Sequence, residues 1–259
     1  MKIFIISQVS ALSRRNFQMD QMRRLGLAFK FVDAFEAATL SDDDCLIAAQ
    51  TWPGATKPQD VACFNSHRLV WQRIIEDGAM ALVLEDDAIL ADTIVDSLAV
   101  IEKRHENWRH VYDLEFTPEP HIIADVPTWR DDRGFVSSRI YRNRIGLAGY
   151  ILGPKAAERL LAETKQYRLI DSYLWQRRWL HGQMFEPAQV VQARFLPNVE
   201  QEPNFIRADE TRVFRPRTRL RNFCLQMGIE LARGLSLLKA MARSTRREPK
   251  VEWDRFPKN

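Results

Sequence analysis

A chain of 259 residues, 46% hydrophobic and 28% charged, has the makings of a soluble globular domain with a substantial core. Its formal charge of +4 is unevenly spread: residues 207–247 hold eleven Lys or Arg against three acids, so the basicity belongs to a tail and not to the whole protein. Three cysteines, Cys45, Cys63 and Cys224, lack paired metal-ligand spacing, which argues against a disulfide framework or zinc ribbon and for a reducing, cytoplasmic compartment; no apolar stretch approaches the roughly 18 residues of a membrane span.

In chain order, KIFII is β-rich, SRRNFQMDQMRRLG is helix-compatible and closes on Gly26, and AFKFVDAF is again strand-like, a β-α-β opening. The turn chemistry of TWPGATKP leads into DVACFNSHRLVWQRIIEDG, a predicted helix with Phe64, Trp71, Ile74 and Ile75 on one face and Gly78 at its end. MALVLEDDAIL follows, a strand that stops in Glu85, Asp86 and Asp87. A helix over about residues 92–103 precedes HVYDLEF and GFVSSRIY, read as strands around a Pro-rich segment, and then LAGYIL, another strand. Pro154 suits the first position of the helix GPKAAERLLAETK. IDSYLWQRRWLHG is predicted as a helix with Asp171 at its start and Gly182 past its end. This alternation predicts an α/β fold with a mostly parallel sheet over residues 1–205. Residues 206–259 read as an appendage, because Leu220, Phe223, Met227, Leu231, Leu235 and Leu238 mark one face of a basic amphipathic helix.

In open α/β sheets, ligands bind at the carboxyl ends of strands, and Glu85, Asp86 and Asp87 stand at such an end. Three adjacent carboxylates repel, so a hard cation such as Mn²⁺ or Mg²⁺ would stabilise them; the competing reading is that Asp86 or Asp87 caps the next helix. The P-loop, the dinucleotide-binding glycine pattern, the nucleophile elbow and the zincin helix are all absent. His67 by itself reads as a core or surface histidine sooner than a ligand.

Four ordered blocks carry a resemblance. ACFNSHRLVWQRIIEDGAMALVLEDDAIL looks like the signature of glycosyltransferase family 25, the bacterial lipooligosaccharide galactosyltransferases and their relatives, which pair a C-x-x-S-H-x-x-x-W helix with a strand ending in E-D-D. IISQVSALSRRNFQMDQMRRLGLAFKFVDA, LAGYILGPKAAERLL and LIDSYLW resemble the family's other blocks in order. The resemblance implies a GT-A type, Rossmann-like fold and a UDP-sugar donor. It also implies an E-D-D acting as a D-x-D-like metal site, with Glu85 and Asp87 on Mn²⁺ or Mg²⁺ and Asp86 near the donor. It places Ser66 and His67 in the donor pocket, leaving Trp71 to packing. Ser7, Arg15 and Asp33 lie where uracil, phosphate and ribose would be gripped, Arg supplying bidentate donors and Asp accepting from hydroxyls.

Direct displacement at an anomeric carbon needs a base for the incoming hydroxyl. Asp171, at the position of the family's P-V-D aspartate, is the first candidate, with a helix N-cap as its competing role; Glu115 in VYDLEF is the second. Leu169 and Ile170 replace the family's Pro and Val, and Ile145 and Gly146 replace its usual residues before 147–150, all on the acceptor side. The expected activity is transfer of a hexose, galactose first, to a lipooligosaccharide or related glycan, with inversion. The expected location is the cytoplasmic face of the inner membrane, reached through the basic helix, with plain packing of that helix on the domain as the competing reading and no nucleic-acid partner. A nucleotidyltransferase or hydrolase with an acidic metal site is the alternative enzyme, and a basic membrane-surface binding protein the non-enzymatic one.

Overall fold

In the computed structural model, which describes residues 1–104, 107–143, 145–164, 166–197, 212–215, 224, 227–228, 231 and 243–257, the chain opens with β1 (Lys2–Ser7), α1 (Leu12–Leu25) and β2 (Lys30–Asp33). Gly26 ends α1 in the left-handed region at φ 66°, where its amide and that of Leu27 satisfy the last carbonyls, and Arg23 and Arg24 complement the helix dipole. α2 (Asp42–Ala49) begins on a capping box between Ser41 and Asp44. α3 (Pro58–Asp77), with Pro at its first position and Gly78 closing it, delivers the chain to β3 (Ala81–Glu85).

Beyond the acidic turn come β4 (Ala88–Leu90), α4 (Ile94–Arg104), β5 (His110–Asp113), β6 (Glu115–Phe116), β7 (His121–Ala124) and β8 (Trp129–Arg130). They are followed by β9 (Val136–Arg142), β10 (Gly149–Leu152), α5 (Pro154–Glu163), α6 (Ile170–Trp175), β11 (His181–Glu186), β12 (Val190–Gln192) and β13 (Ser244–Arg247). One sheet runs β13-β7-β9-β11-β5-β10-β3-β1-β2, with β8 on β9, and a small sheet runs β4-β12-β6. Alternation along the central strands splits the core. Phe4, Ile6, Val83 and Tyr150 pack with α3, α5 and α6, while Ile3, Ile5, Leu82, Leu84 and Ile151 pack with Met22 of α1 and with α4. Trp71 and Ile74 of α3 are fully buried, each contributing roughly 1.5–3 kcal/mol.

The structure departs from the sequence reading in three places. The sheet is mixed α/β and not mostly parallel: β10 enters antiparallel between β3 and β5, and β9, β8, β7 and β13 add further antiparallel pairs. The helix expected to reach Gly182 stops at Trp175; Gly182 lies inside β11, where Ile140 and Trp175 leave a Cβ only 3.3 Å. The tail is not wholly an appendage either. β13 pairs with β7, Arg247 makes a bidentate pair with buried Glu186, and Phe256 is buried against the small sheet. Of the expected amphipathic stripe, Leu220, Phe223, Leu235 and Leu238 lie outside the described residues, and Met227 and Leu231 are exposed on helical backbone. No described helix is long and apolar enough to cross a membrane.

Candidate functional site

β1 pairs in parallel with both β2 and β3, and β10, antiparallel to β3 and β5, makes those two run alike. Their carboxyl ends therefore share one edge: Ser7 registers with Asp33, and Ile6 with Glu85. Asp113 ends β5 on that edge, and the residues leading into β10 meet it there. This is where an α/β sheet opens to ligands.

The acidic turn is fixed from α1. Asp86, only 4% exposed, accepts from Ser7 Oγ at 2.8 Å on one oxygen and from Arg14 Nη1 at 2.9 Å on the other. Gln18 donates to the carbonyls of Asp86 and Ala88, and Gln21 bonds both Ala88 and Leu90. The weakly amphipathic α1 thus docks by buried glutamines. Asp86 and Ser7, expected to face the donor, are hydrogen-bonded to each other, and Arg14, next to the expected Arg15, pairs with Asp86. Arg15 donates to the carbonyls of Ser7 and Gln8 and to Asp33, and lies 4.7 Å over the Phe31 ring. Asp33 itself stays largely exposed. Asp87 is half-buried, its carbonyl accepting from Ala193.

The helical spacing of Cys63, His67 and Trp71 sets all three on the sheet-facing side of α3. His67 is fully buried: Nδ1 lies 3.0 Å from the Tyr150 hydroxyl, which also accepts from Trp71 Nε1 at 2.9 Å. His67 Nε2 has no hydrogen-bond partner and points at Glu85 Oε1, 3.6 Å away, with Cys63 Sγ 4.0 Å from the same oxygen. Ser66, also buried, accepts from Phe35 N and donates to Ala62 O, tying the segment after β2 to α3.

Both candidate bases gather here. Glu115 Oε2 accepts from Ala148 N at 2.7 Å, and Asp171 Oδ2 from Gly146 N at 3.3 Å, so one short loop holds both carboxylates. Asp171 is not the N-cap; Leu169 holds that position. Burial, followed by the charge of Glu85, raises the Asp171 carboxyl to about 6, with His67 and two backbone amides pulling the other way. Glu115 is pushed well above the usual carboxylate range by burial and then by Asp113, with smaller contributions from Glu85 and Asp171. Asp113 is raised likewise by burial; it accepts from Glu115 N at 3.1 Å and from Asn143 Nδ2 at 2.8 Å. Asp113 and Asn143 escaped the sequence reading, although the D-x-E of VYDLEF held a signal for the first; Gly146 was noted only as a departure on the acceptor side.

Among the described residues, the group with ligand atoms close enough to share an ion is Cys63, His67 and Glu85, all within 4.8 Å of one another; Asp87 is not in it. Glu85 suits the hard cation expected here, whereas imidazole and above all thiol are softer donors.

The profile of glycosyltransferase family 25 (LPS biosynthesis protein) matches residues 1–175. The lacto-N-neotetraose biosynthesis glycosyltransferase LgtB of Neisseria meningitidis serogroup B is 27% identical over 166 residues, covering 60% of this chain and 59% of that protein. The Neisseria gonorrhoeae protein of the same name is 26% identical over 60% of this chain and 58% of its own. This chain therefore spans under two thirds of the length of those relatives. Among solved structures, a glycosyltransferase involved in glycosylation of the major capsid of PBCV-1 is 9% identical, covers 88% of this chain and all of its own, and superposes with a TM-score of 0.38. The inositol-1-phosphate CTP transferase of T. maritima is 10% identical, covers 80% of this chain and 74% of its own, and superposes at 0.39. Superpositions that loose say nothing about activity.

Proposed function

The chain belongs to glycosyltransferase family 25, and we propose that it is a GT-A type enzyme transferring a hexose, galactose first, from a UDP-sugar to a lipooligosaccharide or related glycan, with inversion. The observation that carries the reading is the convergence of Glu85, Glu115 and Asp171 on the sheet edge that also presents Ser7, Arg15 and Asp33. Acids gathered at the carboxyl ends of strands suit displacement at an anomeric carbon, and the Neisseria relatives are named for lacto-N-neotetraose biosynthesis, a glycan product.

In this reading Asp171 takes the proton of the acceptor hydroxyl as its oxygen attacks the anomeric carbon. The bond to the diphosphate breaks with its electron pair staying on UDP. Glu115 is the second choice of base: its carboxyl is buried, one oxygen accepts from Ala148 N, and burial raises it well above the usual carboxylate range. Exposed Asp33, oriented by Arg15, accepts from the ribose, while Ser7, Asp86 and Ser66 hold the walls of the donor pocket. A divalent cation, Mn²⁺ or Mg²⁺, would be held by Glu85, with Asp87 as the second acid of the turn. When bound it offsets charge on the departing diphosphate. The basic segment of residues 207–247 would keep the enzyme on the anionic cytoplasmic face of the inner membrane, near a lipid-linked acceptor.

UDP release from UDP-galactose should depend on a lipooligosaccharide acceptor and on the cation. Asp171→Asn should lower kcat by about 10²–10⁴-fold with KM nearly unchanged. A variant turning over at the native rate would remove Asp171 as base, and a chain that neither turns over nor is thermally stabilised by any UDP-sugar would remove the assignment itself.

A further inference from the structure

We propose that Cys63, His67 and Glu85 form a site for a thiophilic divalent cation, Zn²⁺ or its spectroscopic substitute Co²⁺, in preference to Mn²⁺ or Mg²⁺. α3 supplies a thiol and an imidazole one turn apart on the same face, and the end of β3 supplies a carboxylate opposite them. The His67 imidazole is fully buried with Nε2 lacking a hydrogen-bond partner and aimed at Glu85. With the Nδ1–H tautomer the ring donates to the Tyr150 hydroxyl, the outer-sphere contact that turns the Nε2 lone pair toward a metal.

The spacing fits a tetrahedral ion. Bond lengths of about 2.0–2.1 Å to nitrogen and oxygen and about 2.3 Å to sulfur put tetrahedral ligand atoms roughly 3.4–3.6 Å apart. The carboxylate oxygen lies 3.6 Å from the imidazole nitrogen and 4.0 Å from the sulfur, so it needs shifts of only tenths of an ångström. The three atoms all lie within 4.8 Å, so the remaining pair, imidazole nitrogen and sulfur, closes by about 1.2 Å at most. Thiolate and carboxylate together neutralise a divalent charge, and three protein ligands leave a fourth position open. A thiol in the set weights affinity away from Mg²⁺ and Mn²⁺. The proposal shares Glu85 with the cation considered above but rests on donor geometry and not on sugar transfer.

Co²⁺ titrated into the full chain without nucleotide sugar should give one equivalent of a thiolate-to-cobalt charge-transfer band. Zn²⁺ should abolish it, and equal Mg²⁺ or Mn²⁺ should not. Cys63→Ser, with circular dichroism confirming its fold, should lose the band and bind Zn²⁺ more weakly by over the roughly 10–100-fold that loss of an outer-sphere partner costs. Cys224→Ser, which removes an exposed thiol, should leave the band intact. On the native chain, Zn²⁺ should protect Cys63 from alkylation, mapped by mass spectrometry, where Mg²⁺ does not. A native chain without the band, a band surviving Cys63→Ser, or alkylation unaffected by Zn²⁺ would overturn the site. Thiolate-bound Co²⁺ in a chain that turns over no UDP-sugar would leave the site standing and remove the proposed function; turnover without the band would do the reverse.

Discussion

A carboxyl proposed as catalytic base must be able to take a proton near neutral pH, and that of Asp171 is buried close to Glu85. Raised to about 6, it is ionised at neutral pH and protonated just below. If it is the base, kcat/KM should fall as pH drops through about 6, and a pH–rate profile of Asp171→Asn should lack that limb. The same shift acts on stability. Below about pH 4 folded and unfolded chains both hold the proton; between about 4 and 6 only the folded chain does, so the contribution of Asp171 to stability declines over that window as pH rises and stays reduced above it. A displacement of about two units corresponds to at most about 3 kcal/mol, discounted because the side chain keeps some contact with solvent. Asp171→Asn is therefore expected to melt above the native protein at pH 7 and level with it near pH 4; equal melting temperatures at both would contradict the shift. The sequence singled out Asp171 and Glu115 because an acid in a recognisable block stands out. Choosing between Arg14 and Arg15 was beyond it, since adjacent residues on a helix point about 100° apart and only the docked helix shows which one meets Asp86.

At the scale of elements, the loop between β9 and β10 does the positioning. Its amides at Gly146 and Ala148 reach Asp171 and Glu115, and Gly146 adopts φ 99°, where an added Cβ would sit 2.9 Å from Glu115 Oε2 and 3.1 Å from Thr117 Cγ2. Gly146→Ala is expected to cost about 1–2 kcal/mol from backbone conformation alone, read from urea unfolding, and to lower kcat more than it raises KM because the carboxylates move. Unchanged kcat would show that this loop does not set them. α3 and β3 were legible because each has a strong local signal: a long apolar face closed by Gly78, and an unbroken aliphatic run. The place of β10 was not, because entering antiparallel between β3 and β5 is a pairing choice made by the whole sheet. β11 was misread for a related reason, as Gly182 looks like a helix cap while its function is to let Ile140 and Trp175 approach. The capping box that starts α2 was present in SDDD and went unused.

For the whole molecule, the return of the chain to the sheet changes how its basic segment must be tested. Ending the protein at residue 205 would remove β13, Phe256 and the guanidinium that pairs with Glu186, whose carboxylate is buried. Removing one partner of a buried pair costs roughly 3–5 kcal/mol, here toward the lower figure because Arg247 is partly exposed, against a total stability of about 5–15 kcal/mol. Arg247→Ala should accordingly lower the melting temperature, and the truncated chain should be unstable or insoluble, so loss of vesicle binding on truncation would say nothing about membranes. Neutralising Arg217, Arg219 and Arg221 to Gln leaves β13 and Phe256 in place and isolates charge. Each basic residue near an anionic surface contributes about 1 kcal/mol, so three should weaken flotation with phosphatidylserine vesicles by roughly 100-fold at an unchanged melting temperature. Binding that survives the triple substitution would take the membrane away from residues 207–247.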